Sequence, residues 1–305
     1  MYDTIIIGGG PAGVSAGVYA ARKKMKALFI TEGFGGQSVV SDDIGNWIGH
    51  KSIAGIQLAK DLEEHLKAQE GIEIKEGERA QLVEKITNGF RVTTNTSSYE
   101  TRTVIVCSGA RHRKLNVLGE AEFDGKGVAY CSTCDAPMFR GKVVAVVGGG
   151  NSGLEAVQDL LPYVSEVYLL NYSDKIKGDP STLEKIQSAE NFKGVIYNAE
   201  TTEITGEQLV NGLKYKDRLT GEGKTLAVQG VFVEIGAVPN SDLVKDLVEL
   251  NSGGEIVLDH RTSATSMPGI FAAGDVTDEA YKQNNISAGD GVKAALSAYE
   301  YILKK

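Results

Sequence analysis

Two cysteines separated by two residues are the first feature of this chain that predicts chemistry, in the segment Cys131-Ser132-Thr133-Cys134-Asp135. Cysteines at this spacing can close a small disulfide ring, and each sulfur can stabilise the other as a thiolate, which lowers a thiol pKa. Asp135 follows directly and can donate or accept the proton during thiol exchange. The alternative is a pair of buried cysteines that act only as small apolar side chains. The spacing favours a redox-active dithiol.

A glycine pattern near the start of the chain predicts a site for the phosphates of a dinucleotide. Gly8, Gly10 and Gly13 lie between an apolar strand and an alanine-rich helix, and the strand that follows ends at Glu32. The first glycine allows a tight turn, the second lets the backbone approach a pyrophosphate, and the third lets helix and strand pack closely. Pyrophosphate is favoured at a helix N-terminus, and Glu32 can accept hydrogen bonds from ribose hydroxyls. A merely tight turn is the alternative.

A second segment repeats this design. It follows the strand predicted at 143–147, precedes an amphipathic helix, and the next strand ends at Asn171. The residues of this segment that we expect to contact a dinucleotide are Gly148, Gly150, Asn151, Ser152 and Gly153. Two such sites in one chain indicate two dinucleotides, one held permanently and one exchanging, which pairs a flavin with a pyridine nucleotide.

The two repeated strand–helix–strand units predict the fold class, which is α/β with two Rossmann-like three-layer dinucleotide-binding domains, the second inserted into the first. Alternating, threonine- and valine-rich segments at 80–100 and 200–228 predict antiparallel β inserts. We expect the first domain, which binds FAD, to comprise residues 1–113 and 245–305. The second, residues 114–244, is expected to bind NAD(P)H and to carry the cysteine pair.

Bulk properties exclude several other classes of protein. A chain of 305 residues is longer than one hydrophobic core usually holds, and a 24% charged fraction is typical of globular proteins. A net charge of −8 repels phosphate backbones, so nucleic acid is not an expected partner. No apolar run approaches the ~20 residues that span a bilayer, so no membrane association is expected. The first residues have no basic leader region and enter a strand at once, which predicts a cytoplasmic protein.

The cysteine count argues against a metal site and a disulfide scaffold. Besides the close pair, the chain has Cys107 and four dispersed histidines, and none of these forms a second close pair of ligands for zinc. Cys107 ends an apolar strand and is expected to be buried and inert.

With these motifs assembled, the chain resembles the low-molecular-weight thioredoxin reductase family over essentially its whole length. The resemblance rests on residues 8–13, 35–37, 46–47, 131–135, 148–153, 236–240, 274–275 and 281–283. Within the family it is most similar to the reductase portion of the flavoprotein component of alkyl hydroperoxide reductase, through residues 148–153, 215–218, 281–283 and 293–298. That flavoprotein also carries an N-terminal domain of thioredoxin folds, which we expect this chain to lack.

The resemblance implies a role for each matching residue. For FAD it implies contacts to Gly8, Gly10, Gly13, Glu32, Gln37, Asn46, Asp275 and Gln283. Cys134 would face the flavin, Cys131 would attack the disulfide of a partner, and Asp135 would be the acid–base group. The nicotinamide dinucleotide would contact Gly148, Gly150, Asn151, Ser152, Gly153 and Asn171. The resemblance also implies a homodimer and a small thioredoxin- or glutaredoxin-like partner protein.

One departure from the family bears on the choice of nucleotide. NADPH-using members place a His-Arg-Arg run after the corresponding strand, whereas this chain has Asn171-Tyr172-Ser173, with Lys175 and Lys177 beyond. Arginine is the usual reader of a 2′-phosphate, so NADH is expected in preference to NADPH. The alkyl hydroperoxide reductase relatives have an acid where Asn171 stands, so the match to them is imperfect too.

Three alternatives of function stay open from the sequence. A dithiol oxidase would pass electrons from a small dithiol to oxygen. A ferredoxin-fed reductase would need no nucleotide cradle, so the intact 148–153 segment argues against it. A nucleotide-binding redox sensor would need no dithiol on an electron path, so Cys131 and Cys134 argue against it.

Overall fold

The chain divides into two compact units. A computed structural model describes residues 1–41 and 44–304. Unit 1 comprises Met1–Arg111 and Val238–Lys305, and unit 2 is the continuous segment His112–Ala237. The fold class expected from the sequence is confirmed, because the continuous unit interrupts the first and each unit has a parallel β-sheet at its centre.

The strands in chain order are β1 Tyr2–Ile7, β2 Ala27–Thr31, β3 Ile72–Glu76, β4 Ala80–Ile86, β5 Gly89–Thr94, β6 Ser98–Val106, β7 Ala110–His112, β8 Val128–Ala129, β9 Val143–Val147, β10 Glu166–Leu170, β11 Phe192–Ile196, β12 Ala199–Gly206, β13 Val210–Asp217, β14 Gly223–Leu226, β15 Gly230–Val233, β16 Ala237–Pro239 and β17 Ile270–Ala272. The α-helices are α1 Pro11–Arg22, α2 Gly55–Lys67, α3 Ser132–Asp135, α4 Asn151–Leu160, α5 Pro180–Gln187 and α6 Asn284–Leu303.

Unit 1 is a three-layer structure around a sheet in which β3, β2, β1, β6 and β17 run parallel. The long strand β6 also pairs antiparallel with β5, which continues the sheet into the β4–β5 hairpin. Because side chains alternate along a strand, Ile6 and Phe29 pack with the helices, whereas Ile5 and Leu28 pack on the opposite face with residues of the hairpin. Both faces of the sheet are therefore covered, as parallel sheets require.

Unit 2 repeats this architecture with the parallel order β11-β10-β9-β15-β8. Val146 and Phe232 face the layer of α4 and α5, and Val147 and Val233 face the antiparallel sheet of β12, β13 and β14. The two apolar clusters of unit 2 draw on residues of that unit alone. Unit 2 therefore has its own hydrophobic core.

The chain passes between the units twice, once within β7 and once within β16, and these two short strands pair with each other. Among the described residues, no helix is both long and apolar enough to cross a membrane.

Candidate functional site

The cysteine pair predicted from the sequence forms a disulfide at the start of a short helix. Cys131 and Cys134 are disulfide-bonded, with their Cα atoms 5.3 Å apart. Cys131 is the N-cap of α3, and its Sγ accepts a hydrogen bond from the backbone N–H of Cys134 at 3.3 Å. A donor aimed at this sulfur stabilises it as a thiolate once the bond is reduced. Both cysteines and Asp135 are half-buried, so the disulfide is accessible.

The first turn of α3 is fixed by a carboxylate of the neighbouring helix. The hydroxyls of Ser132 and Thr133 donate to the same oxygen, Oδ2 of Asp159 on α4, at 2.8 and 3.0 Å. Helix α4 begins at Asn151, in the second glycine segment. The disulfide and the second predicted nucleotide cradle are therefore joined through α4 within unit 2.

A carboxyl group that sequence analysis did not single out lies beside the disulfide. Glu234 follows β15, and its side chain accepts a hydrogen bond from the backbone N–H of Ser132. Burial raises the pKa of Glu234 to about 8, and the negative charges of Asp159, Asp135 and Glu155 add to this effect. The sequence did contain a signal, since Glu234 is an acid within an otherwise apolar run that ends at Gly236.

The first predicted dinucleotide cradle, residues 8–13, contains two kinds of glycine. Gly8 has a φ of +119°, and a Cβ at Gly13 would lie 1.8 Å from the carbonyl oxygen of Gly8, so both positions exclude side chains for reasons within the fold. Gly10 is extended, with a φ of −78°, and the nearest atom to a Cβ there would be Gly36 Cα at 3.9 Å. Neither the backbone conformation of Gly10 nor crowding by the described residues requires glycine at this position. The remaining reason is close approach of a ligand, which is the role of this glycine in dinucleotide sites.

The second cradle shows the same division more clearly. A Cβ at Gly153 would lie 1.8 Å from the Gly148 carbonyl oxygen, and Gly148 has a φ of +135°. A Cβ at Gly150, which is extended with a φ of −91°, would meet no atom of the described residues within 4 Å. The residues present therefore fit a dinucleotide at each cradle.

The other residues expected to contact flavin lie around the N-terminal end of α1. The N–H of Gly35 donates to the Gly9 carbonyl at 2.9 Å, which places the loop carrying Gln37 against the first cradle. Gly274, before Asp275, approaches Ala12 so closely that a Cβ there would lie 3.1 Å from the Ala12 Cβ. Segments distant in sequence thus meet at this helix end.

Several of these side chains already have partners within unit 1. Asn46 donates to Gln283 Oε1 at 3.1 Å, and Gln37 donates to the carbonyl of Ala110 at 2.7 Å. Asp275 accepts from the Ser287 hydroxyl at 3.2 Å. Glu32 is exposed just after β2 and lies 3.8 Å from the Arg79 guanidinium. Asn46 and Gln283 are thus brought together from opposite ends of the chain.

The polar residues expected at the second cradle are engaged mainly in shaping it. Asn171 is buried, and its amide donates to the carbonyls of Ser173 and Lys175 at 2.8 and 2.9 Å. Asn151 Oδ1 accepts from the N–H of Asp179 at 2.8 Å, and Ser152 is exposed. Asn171 therefore organises the turn after β10.

One cation near that turn was missed by sequence analysis. The Arg218 guanidinium lies 3.9 Å from the centre of the exposed Tyr172 ring and donates to the Tyr172 carbonyl at 3.2 Å. Lys175 and Lys177 are also exposed.

Cys107 is a free cysteine and is buried, as expected, and burial raises the pKa of its thiol, with a smaller contribution from Asp290. Within 1–41 and 44–304, no group of three or more His, Cys, Asp or Glu side chains is arranged to hold a metal ion.

Known proteins with similar sequences carry names of electron-transfer enzymes. An NADH dehydrogenase of Bacillus subtilis is 46% identical over 303 residues, which are 99% of this chain and 59% of that protein. The F component of the alkyl hydroperoxide reductase of Staphylococcus epidermidis is 44% identical over 304 residues, with the same 99% and 59% coverage. The chain thus spans about three fifths of the length of these curated relatives.

Solved structures with a similar fold match the chain over its full length. A thioredoxin reductase from Streptococcus pyogenes superimposes with a TM-score of 0.91 at 34% identity, covering 100% of this chain and 99% of that one. A thioredoxin reductase from Giardia duodenalis also gives 0.91, at 31% identity and 99% coverage of both chains. The model of the pyridine nucleotide-disulphide oxidoreductase family matches residues 2–291. The chain, whose disulfide and second glycine-rich segment lie in one unit, belongs to the pyridine nucleotide-disulphide oxidoreductase family.

Proposed function

We propose that the protein passes electrons from NADH, in preference to NADPH, through FAD and the Cys131–Cys134 pair to a disulfide of a small thioredoxin- or glutaredoxin-like protein. The observation that carries this proposal is the disulfide itself, which caps α3 in the unit that holds the open cradle at Gly150. A nucleotide cradle and a half-buried disulfide in one unit are the parts that such an electron path needs.

Each of the chain's own groups has a role in this proposal. Gly8, Gly10 and Gly13 hold the FAD pyrophosphate at the N-terminus of α1, where free N–H groups and the helix dipole favour an anion. The chemistry that bound FAD supplies is acceptance of a hydride and delivery of two electrons to a disulfide. Gly148, Gly150 and Gly153 hold the nicotinamide dinucleotide at the N-terminus of α4 in the same way.

The dithiol then reduces the partner by thiol–disulfide exchange. The Cys131 thiolate attacks the partner's disulfide, and Cys134 attacks the resulting mixed disulfide, which releases the reduced partner and restores the Cys131–Cys134 bond. Asp135 donates or accepts the proton at the sulfur atoms. The Cys134 N–H aimed at Cys131 Sγ supports this assignment, because it stabilises the Cys131 thiolate.

The preference for NADH rests on the turn after β10. Tyr172 and Ser173 stand where NADPH-using relatives of the chain are expected to have arginines. Arg218 is held against Tyr172 by stacking and by its bond to the Tyr172 carbonyl, so part of its donor set is already used. Tight binding of a 2′-phosphate depends on bidentate contacts from a guanidinium group, and the guanidinium of Arg218 is only partly available for such contacts.

The experiment that tests the proposal is steady-state oxidation of NADH by the FAD-bound protein in the presence of a panel of oxidised proteins. The panel contains a thioredoxin, a glutaredoxin and a thiol peroxidase, the last because one group of relatives is named for alkyl hydroperoxide reduction. We expect NADH oxidation to be coupled to the reduction of at least one of these proteins. Turnover only with a small dithiol and oxygen would instead identify a dithiol oxidase.

The resemblance also leads us to propose a homodimer that acts in the cytoplasm. Light scattering on the purified FAD-bound protein tests the dimer, with a mass near twice that of the 32.5 kDa chain expected.

A further inference from the structure

Glu234 occupies a fixed position between the second cradle and the disulfide. Its backbone N–H donates to the carbonyl of Val147 at 2.8 Å, which extends the pairing of β15 with β9 by one residue. Its carbonyl oxygen lies so close to Gly148 that a Cβ there would be 2.1 Å away. The backbone of Glu234 is therefore set by the sheet and by the first glycine of the cradle.

Strand alternation directs the Glu234 side chain towards α3. Val231 and Val233 face the antiparallel sheet, whereas Phe232 faces the helical layer and stacks edge-on with Phe139. Position 234 continues the face of Phe232. This agrees with the hydrogen bond that the Glu234 carboxyl group accepts from the Ser132 N–H, one residue after Cys131.

Two carboxyl groups thus hold the first turn of the helix that bears the disulfide. Asp159 accepts from the two hydroxyls of that turn, and Glu234 accepts from its backbone. The charged groups that act on Glu234 are Asp159 and Glu155 on α4 and Asp135 on α3, and all three are acids. Together with burial they keep Glu234 protonated near neutral pH and let it ionise in mildly alkaline solution, because its pKa is raised to about 8.

We propose that Glu234 is a positioning residue whose proton is coupled to the redox state of the Cys131–Cys134 pair. The proposal rests on the proposed function only in taking this pair as the redox-active one. Two electrons and one proton convert the disulfide into one thiol and one thiolate. When Glu234 is ionised, the new thiolate is repelled by it, so reduction draws a second proton onto Glu234. Oxidation by a partner's disulfide removes the two electrons and releases that proton.

The sign of the effect follows from the charges. Below the pKa of Glu234 its side chain is neutral in both redox states, so it does not affect the equilibrium. Above that pKa an ionised Glu234 stands beside a thiolate in the reduced state only, which makes the disulfide harder to reduce. Glutamine at this position keeps an acceptor for the Ser132 N–H and cannot ionise.

The test is the equilibrium between disulfide and dithiol in a dithiothreitol redox buffer, measured without oxygen on the FAD-bound protein from pH 6.5 to 9.5. Free thiols are trapped by alkylation and counted by mass spectrometry, so no nicotinamide nucleotide or partner protein is needed. The variants are Glu234→Gln, Glu234→Asp and, as a charge-matched control, Glu222→Gln in the exposed β13–β14 turn.

We expect the equilibrium constants for reduction of the wild type and of Glu234→Gln to run parallel below pH 7. They should then diverge, until the wild-type constant is about tenfold lower at pH 9.5, because one pKa unit of interaction is tenfold. For a two-electron couple this is about 30 mV. Glu234→Asp should diverge from Glu234→Gln as the wild type does, and Glu222→Gln should match the wild type.

A ratio of the wild-type equilibrium constant to that of Glu234→Gln that is the same at every pH would overturn the proposal, since a purely structural role gives a fixed offset. Loss of redoxin turnover with this pH response intact would count against the proposed function instead.

Discussion

At the scale of single residues, the disulfide divides the proposed reaction into two halves that can be measured separately. Hydride transfer from the nucleotide precedes dithiol exchange, and only the second half uses the sulfur atoms. Cys131→Ser or Cys134→Ser should therefore abolish redoxin reduction and leave bleaching of the flavin by NADH in stopped flow within about twofold of wild type. Wild-type redoxin turnover in either variant would show that these cysteines are off the electron path.

Cys107→Ala serves as the control for the cysteine experiment. Cys107 is buried among apolar side chains at the end of β6, and its thiol is kept protonated by burial. Removing its sulfur should leave both half-reactions unchanged and lower stability by no more than about 1–2 kcal/mol.

The nucleotide preference is also a single-residue question. A charge-assisted hydrogen bond contributes about 1.5–3 kcal/mol. The absence of two arginines at Tyr172 and Ser173 should therefore reduce kcat/KM for NADPH by on the order of 10²-fold relative to NADH, since 1.4 kcal/mol is tenfold. The measurement is kcat/KM for both nucleotides at one ionic strength.

Arg218 supplies the discriminating variant for that measurement. If residual NADPH turnover depends on this guanidinium, Arg218→Gln should lower it several-fold and leave NADH turnover unchanged. Lys175→Gln is the matched loss of charge on the same turn. Equal kcat/KM values for the two nucleotides in the wild type would refute the proposed preference.

Residues whose chemistry depends on local spacing are predictable from the sequence, whereas residues whose role depends on distant partners are not. Cys131 and Cys134 are three positions apart, so the pair is visible without a fold. Asp159 contacts Ser132 across 27 positions, and Glu234 reaches it only because β15 and α3 meet in space. Arg218 likewise reaches Tyr172 from the turn that follows β13, 46 positions away.

At the scale of elements, each glycine-rich segment contains one glycine that packing does not require and others that packing does require. Gly150→Ala should fold normally, because its Cβ enters open space, and should raise KM for NADH about tenfold or more by obstructing the pyrophosphate. Gly153→Ala is the contrasting variant, because its Cβ would strike the Gly148 carbonyl and should destabilise unit 2. The readouts are KM and the thermal unfolding midpoint.

The first cradle provides the parallel experiment. Gly10→Ala should keep its secondary structure by circular dichroism but retain less FAD after gel filtration, whereas Gly13→Ala should unfold at lower temperature. An alanine at position 10 or 150 that leaves ligand affinity unchanged would contradict the ligand-based reason for these glycines.

The elements that carry the cradles were predictable because strand, glycine turn and helix follow one another directly in sequence. The structure has β1 followed by α1 and β9 followed by α4, with the glycines between them. The turn after β10 was not predictable, since its shape comes from the buried Asn171 amide bonding to carbonyls two and four residues ahead. Asn171 was expected to contact the nucleotide, and that contact stays a proposal.

At the scale of the whole molecule, two units with separate cores should respond separately to their ligands. A ligand that binds only the folded form of one unit stabilises that unit by mass action. Removing FAD should therefore lower the unfolding midpoint of unit 1 and leave that of unit 2 within a few degrees, as followed by calorimetry. A single transition that shifts as a whole would show that the units unfold cooperatively.

The family and the fold class were predictable from the order of the motifs, and both are confirmed by the match to thioredoxin reductase structures. The domain boundaries predicted near residues 113 and 244 stay a prediction. The structure changes unit after Arg111 and after Ala237. Short strands such as β7 and β16 are difficult to predict, because three residues are too few for a periodic pattern.

The insertion of one unit into the other has a consequence for synthesis on the ribosome. Unit 2 is a single uninterrupted stretch, so all of its strands are available once residue 237 has emerged. Unit 1 must wait, because β17 pairs with β6 and α6 packs on α1, and both β17 and α6 follow unit 2 in the chain. At roughly 5–20 residues per second, the edge of β6 that β17 covers stays unpaired for several seconds to tens of seconds after β6 has been made. During that interval the nascent first unit exposes an apolar strand edge, and it is then that the chain most needs protection by a chaperone.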